Sequence, residues 1–184
     1  MMSTEKPTFY HERQKLQLCA LHSLNNLFQK HHFNKQTLDS IVHEYDQSWC
    51  WNEYSTLFTG NYDLTIILDA LKREGYTLRA IDINESFDTF DFKDSFGLLL
   101  NITLDRAFFD RLPLVRSWTK PARHWLTIKS LDGENFYNLD SKLSRPQLLG
   151  NQTDLKAYLN TLDRSQTYIY IVIKETMADN FAQK

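Results

Sequence analysis

With only five glycines and four prolines in 184 residues, the chain has little material for flexible linkers or a phosphate-cradling loop, and no GxSxG elbow occurs. The two cysteines, Cys19 and Cys50, allow at most one bridge, which excludes a disulfide framework. Neither CxxC nor HExxH appears, and the adjacent His31 and His32 have no second pair, so a metal site is not expected. No apolar run approaches the roughly 20 residues a membrane helix needs; the stretches 98–100 and 169–173 are strand-sized. Nor does one sign of charge prevail: the net charge is −2, acids and bases interleave, and the Lys/Arg block of a nucleic-acid binder is missing. The opening residues carry no charged-then-apolar signal segment. These absences together read as a soluble, cytoplasmic protein in a reducing compartment, with no nucleic acid, membrane segment, metal or cofactor; a monomer is expected.

Apolar and aromatic residues are plentiful, 42% and 14%, enough for one substantial core. One domain is expected over 8–178, with loose tails at 1–7 and 179–184. Over 18–30 the residues Leu18, Leu21, Leu24, Leu27 and Phe28 recur at helical spacing. Cys19, His22 and Asn26 form a second stripe of the same helix, which could face a cleft. A second helix is expected from Thr37, with Thr37 as its cap, burying Leu38, Ile41, Val42 and Tyr45. A third runs from about Asp63 through Leu64, Ile67, Leu68 and Leu71 to a left-handed Gly75. The aromatic stretch 48–60 has no clear period and reads as irregular. Strands follow at 77–83, 97–102, 125–129, 135–140 and 167–173, with a last helix capped by Thr153. Helices first and antiparallel strands after give an α+β order.

Cys19 lies at the head of the first helix, where unpaired N–H groups favour an anion, and a thiolate is the attacking form of cysteine. His124 and Asp140 lie on two strands joined by the turn signal Ser130-Leu131-Asp132-Gly133-Glu134. A two-residue turn would put them on opposite faces. A three-residue loop, 131–133, with Gly133 left-handed, sets Asp140 directly opposite His124, and this loop is the reading adopted. Asp140 can then orient the imidazole while the other ring nitrogen faces Cys19. Gln14, five residues before Cys19, is placed to donate to an oxyanion. Taken singly, each residue has a plainer reading: Cys19 as a small core residue, His124 with a structural hydrogen bond, Asp140 as a loop cap, Gln14 as a solvated amide. His22 is a rival base one turn from Cys19, ranked as auxiliary. Cys50, between Trp49 and Trp51, has no identifiable base.

The motifs His11-Glu12-Arg13-Gln14, Leu18-Cys19-Ala20-Leu21-His22 with Asn25-Asn26, Gly60-Asn61-Tyr62-Asp63, Arg123-His124-Trp125 and Tyr137-Asn138-Leu139-Asp140-Ser141-Lys142-Leu143, in this order, resemble the Josephin domain, a family of papain-like cysteine protease deubiquitinases. The chain is most similar to the short members that consist of little but the domain, since Asp140 stands where ataxin-type members carry asparagine. The resemblance implies a papain-like fold, with a helical N-terminal part packed on a C-terminal antiparallel sheet. It also implies Cys19 as nucleophile, His124 as base and then acid, Asp140 as orienter and Gln14 as oxyanion donor. The implied reaction is hydrolysis after the C-terminal glycine of ubiquitin through a thioester, with ubiquitin or its chains as the partner. A tryptophan that contacts ubiquitin in ataxin-type members is replaced by Glu74, so that contact is not carried over. Two contrasting classes remain beside this reading: a ubiquitin-binding module with little turnover, and a thiol hydrolase for another ubiquitin-like protein or a small amide.

Overall fold

The computed structural model describes residues 9–14, 18–45, 62–103 and 123–178. The expectations for the tails, for 48–60 and for Cys50 lie outside these residues. Four α-helices are present among them: α1 (Cys19–Phe28), α2 (Lys35–Tyr45), α3 (Leu64–Arg73) and α4 (Gln152–Asn160). The strands are β1 (Tyr76–Ala80), β2 (Gly97–Thr103), β3 (Arg123–Ser130), β4 (Phe136–Asn138), β5 (Gln147–Gly150) and β6 (Thr167–Lys174). They form one sheet in the order β1-β6-β2-β3-β4-β5, with every neighbouring pair antiparallel. The α+β expectation holds.

Alternating side chains divide the sheet between two cores, as the two-residue period of a strand requires. Leu99, Trp125 and Val172 join Leu21, Leu24 and Leu27 of α1 and the inner faces of α2 and α3. Leu98, Leu100, Leu126, Ile128 and Ile171 turn the other way, onto Leu155 and Leu159 of α4 and onto Phe87, Phe90 and Phe92. Each fully buried leucine contributes about 2 kcal/mol. Helix α1 approaches the sheet closely at Gly97: a Cβ there would lie 2.6 Å from Leu27 Cδ1 and 3.0 Å from Ile128 O, so no larger residue fits without displacing one of them. Thr127 Oγ1 donates to Ser23 O at 2.7 Å and fixes α1 against β3.

Local chemistry moves several expected boundaries. Helix α2 starts two residues before Thr37, because Asn34 Oδ1 accepts from Thr37 N at 2.9 Å and so serves as the cap. Asn151, not Thr153, caps α4, in a reciprocal box with Asp154. Asp63 caps α3 and Gly75, at φ 77°, ends it as expected. Strand β5 was not expected at all. The β3–β4 hairpin departs most. Gly133 is left-handed, at φ 82°, but Ser130 pairs with Phe136, so the loop is 131–135 and not 131–133. Asp132 lengthens it by accepting from the N–H groups of Glu134 and Asn135 at 2.9 and 2.6 Å. Leu139 N donates to Thr127 O at 2.8 Å, which sets Asp140 across from Leu126 and diagonal to His124 rather than directly opposite it. A two-residue shift preserves the face, so the two side chains still meet.

Candidate active site

Side chains cap the N-termini of α2, α3 and α4, whereas Leu18 at the head of α1 makes no side-chain cap hydrogen bond. Main-chain N–H groups in the first turn of α1 thus face the region of Cys19 without a capping oxygen from Leu18. Cys19 is a free thiol, only 4% exposed. His124, 2% exposed, places Nε2 2.7 Å from Asp140 Oδ1. Cys19 is near enough to favour the charged form of this ring, and since Asp140 occupies Nε2, Nδ1 is the nitrogen left for the sulfur. Asp140 is held in turn: its Oδ1 accepts from Lys142 N at 2.9 Å, and its own N–H donates to Asn138 Oδ1 at 2.9 Å.

Electrostatics follow this geometry. Burial works against a charged His124 ring, but hydrogen bonds and charge from Asp140 and Cys19 outweigh it and raise the imidazole above its ordinary value. Burial likewise opposes the Asp140 carboxylate, yet the His124 contact and the Lys142 N–H bring it below the usual aspartate value. The arrangement therefore favours an imidazolium flanked by two acidic partners, the charge distribution a thiolate nucleophile needs.

Gln14 reaches the same loop by its main chain, donating from N to Ser141 O at 2.8 Å, one residue past Asp140. The structure thus brings His124 and Asp140 together at the β3–β4 hairpin, sets Cys19 at the head of α1, and ties the main chain of Gln14 to the loop that follows Asp140. Arg123, next to His124, donates to Asn101 O at 2.8 Å and Thr103 Oγ1 at 2.9 Å, and stacks on Tyr168 with Cζ 4.4 Å from the ring centre, which fixes this end of β3 against β2 and β6. An open groove of about 760 Å³, lined by Phe9, Tyr137, Leu143, Arg145 and Leu148 among others, contains neither Cys19 nor His124; side-chain geometry, not concavity, assigns the site.

The second stripe of α1 does not face an open cleft. His22 and Asn26 are buried beneath the segment 10–14, where His22 Nδ1 lies 2.7 Å from Glu12 Oε2, so its ring belongs to a different cluster from the Cys19 pair. Glu12 is the hub of that cluster. Its carboxylate accepts from Tyr10 Oη at 2.5 Å and Asn25 Nδ2 at 3.0 Å, and meets His31 Nδ1 at 2.8 Å. The sequence puts Asn26 on the stripe of Cys19 and places Glu12 and Asn25 in motifs, but spacing alone assigns none of them this bonding role. The signal was present in two adjacent asparagines inside a leucine-rich helix, where asparagine is a poor helix former and needs another reason to be there. Among the described residues, no group of three or more His, Cys, Asp or Glu is arranged to hold a metal ion, and no helix is long and apolar enough to cross a membrane.

Against known families, residues 14–173 match the Josephin model. Josephin-2 of Homo sapiens is 36% identical over 155 residues, covering 83% of this chain and 79% of the relative. A Josephin-like protein of Drosophila melanogaster is 33% identical over 168 residues, covering 90% of this chain and 74% of its own length. Among solved structures, Trichinella spiralis UCH37 bound to ubiquitin vinyl methyl ester overlaps 59% of this chain and 79% of its own at 14% identity and a TM-score of 0.35, a likeness that carries no argument here.

Proposed function

The chain belongs to the Josephin family, and from that premise we propose that it is a deubiquitinating thiol hydrolase cleaving peptide or isopeptide bonds after the C-terminal glycine of ubiquitin. The observation that carries the reading is the His124 ring held between Cys19 and Asp140. In the proposed reaction the Cys19 thiolate attacks the glycine carbonyl carbon, and the carbonyl electrons move to oxygen. The Cys19 N–H and the Gln14 amide receive that oxyanion; one such donor is worth about 3–4 kcal/mol in the transition state. Collapse breaks the C–N bond as His124 delivers its Nδ1 proton to the departing amine, leaving a thioester on Cys19. His124, now neutral, takes a proton from water, whose oxygen displaces the sulfur and releases the ubiquitin carboxylate. Asp140 keeps the ring oriented throughout and offsets its charge. All four residues of this cycle come from one chain, in keeping with a monomer, and Cys19 must stay reduced, in keeping with a reducing compartment.

Incubation with a ubiquitin C-terminal electrophile tests the reading. Wild-type protein should form a covalent adduct at Cys19 by peptide mapping, and Cys19→Ala should abolish it together with turnover of a ubiquitin amide, a loss on the order of 10⁴-fold or more. Adduct formation that survives Cys19→Ala, or wild-type protein that binds ubiquitin but never turns it over, would sink the proposal.

A further inference from the structure

We infer that Asn26 is a positioning residue for this reaction: one carboxamide registers the helix bearing Cys19, the segment bearing Gln14 and the loop bearing Asp140 against one another. The inference rests on the thiol-hydrolase reading above. Asn26 is fully buried. Its Oδ1 accepts from Glu12 N at 2.6 Å, and its Nδ2 donates to Glu12 O at 3.2 Å and to Leu139 O at 2.9 Å. Both amide hydrogens and the carbonyl oxygen are therefore engaged. Leu139 is bonded directly to Asp140, Glu12 stands two residues before Gln14, and the Gln14 N to Ser141 O bond closes the triangle.

Asn26 lies seven residues along α1 from Cys19, about 10 Å at the helical rise, so it touches neither substrate nor the reacting atoms. Its effect passes through the two segments it holds. An apolar residue in its place would leave Glu12 N, Glu12 O and Leu139 O facing each other in the interior without a partner that satisfies all three. Those segments would then be joined only on the far side of Asp140 from Leu139, by Gln14 N to Ser141 O and by His11 Nε2, 3.1 Å from Leu143 O, and displacements near 1 Å in a reacting constellation cost up to about 100-fold in rate. Asn25 provides the contrast. It is equally buried, but its amide serves His32 N, Phe33 N, Phe33 O and the Glu12 carboxylate, and makes no bond to the loop bearing Asp140.

The experiment compares Asn26→Ala with Asn25→Ala in the full chain, measuring the melting temperature, kcat and KM on a ubiquitin amide, and the titration of the His124 ring by nitrogen NMR. Both substitutions should lower the melting temperature. Asn26→Ala should also lower kcat by about 10- to 100-fold, with KM changed less than about threefold, and should move the His124 midpoint down as the grip of Asp140 slackens. Asn26→Ser, whose hydroxyl serves part of the same set, should fall between, and it decides the question if the alanine variant does not fold. Should kcat and the His124 midpoint stay at wild-type values while only stability falls, Asn26 is structural and the inference is wrong. If wild-type protein proves inert toward ubiquitin, the functional reading fails by itself, and the His124 titration still decides the role of Asn26.

Discussion

At its far end α1 closes on Gln29, the one non-glycine among the described residues with positive φ, at 55°. That strained position is held from several sides: Gln29 Nε2 donates to Asn26 O at 2.6 Å and to Tyr10 O at 3.2 Å, while Gln29 Oε1 accepts from Tyr10 N at 3.2 Å. At its near end the same helix begins on Leu18 with no side-chain cap, and Cys19 follows at once. One end is fastened by amide groups and the Glu12 hub, and the other keeps its polar groups for chemistry. The difference shows where rigidity is placed: the far end and the middle of α1 are fixed to the segment 10–14 and to β3, so that the first turn, with no cap from Leu18, can present a reactive sulfur without drifting.

Breaking the fastened half should have the largest effect on stability. Burial opposes the Glu12 carboxylate, but hydrogen bonds involving Tyr10, Asn25, His31 and His22 overcome it and hold Glu12 at about 2, below its ordinary 4.5. A carboxyl lowered on folding contributes stability that is complete above the unfolded value and is lost as pH falls from there toward the folded value. Discounted for the solvent that reaches this half-buried carboxylate, its size is about 1–2 kcal/mol. Glu12→Gln should thus be less stable than wild type by about that much in urea at pH near 6, with the gap closing between roughly pH 4.5 and 2. A gap that does not change with pH would contradict the hub.

Asp140→Asn probes the other half with a smaller effect. The amide still accepts a hydrogen bond but carries no charge, so turnover should fall about tenfold. The raised His124 loses a cause of its rise, so the ring gives up its proton at lower pH and the alkaline limb of the pH–rate profile moves to lower pH, the limbs belonging to the coupled Cys19–His124 pair. An alkaline limb that stays in place would separate Asp140 from the ring. The finest test compares Leu18→Asp with Leu18→Asn. Both lose the same packing and add a cap, so their ratio isolates a negative charge beside the sulfur. The aspartate variant should be slower in kcat by about three- to tenfold, and the difference should shrink in high salt.

Much of this was legible in the chain because it rests on short-range periodicity. Helices α1 and α3, the Gly75 stop and most strand positions follow from apolar spacing and a few capping residues, and Cys19, His124 and Asp140 are residue types that chemistry singles out. What was not legible depends on side chains that compete with the backbone. Asp132 lengthens a hairpin by two residues, and Asn34 and Asn151 take caps that threonines nearby could have filled. Strand β5 follows Arg145 and Pro146 and is half exposed, so no alternating pattern marks it. The Glu12 and Asn26 cluster joins positions as far as 113 apart, a relation that spacing along the chain cannot express.

Strand β6 is late in the chain yet lies between β1 and β2 in the interior of the sheet. A ribosome making this protein must therefore deliver residues through Lys174 before β1 has its neighbour in the sheet, so the first of the described strands to be made is among the last to be paired.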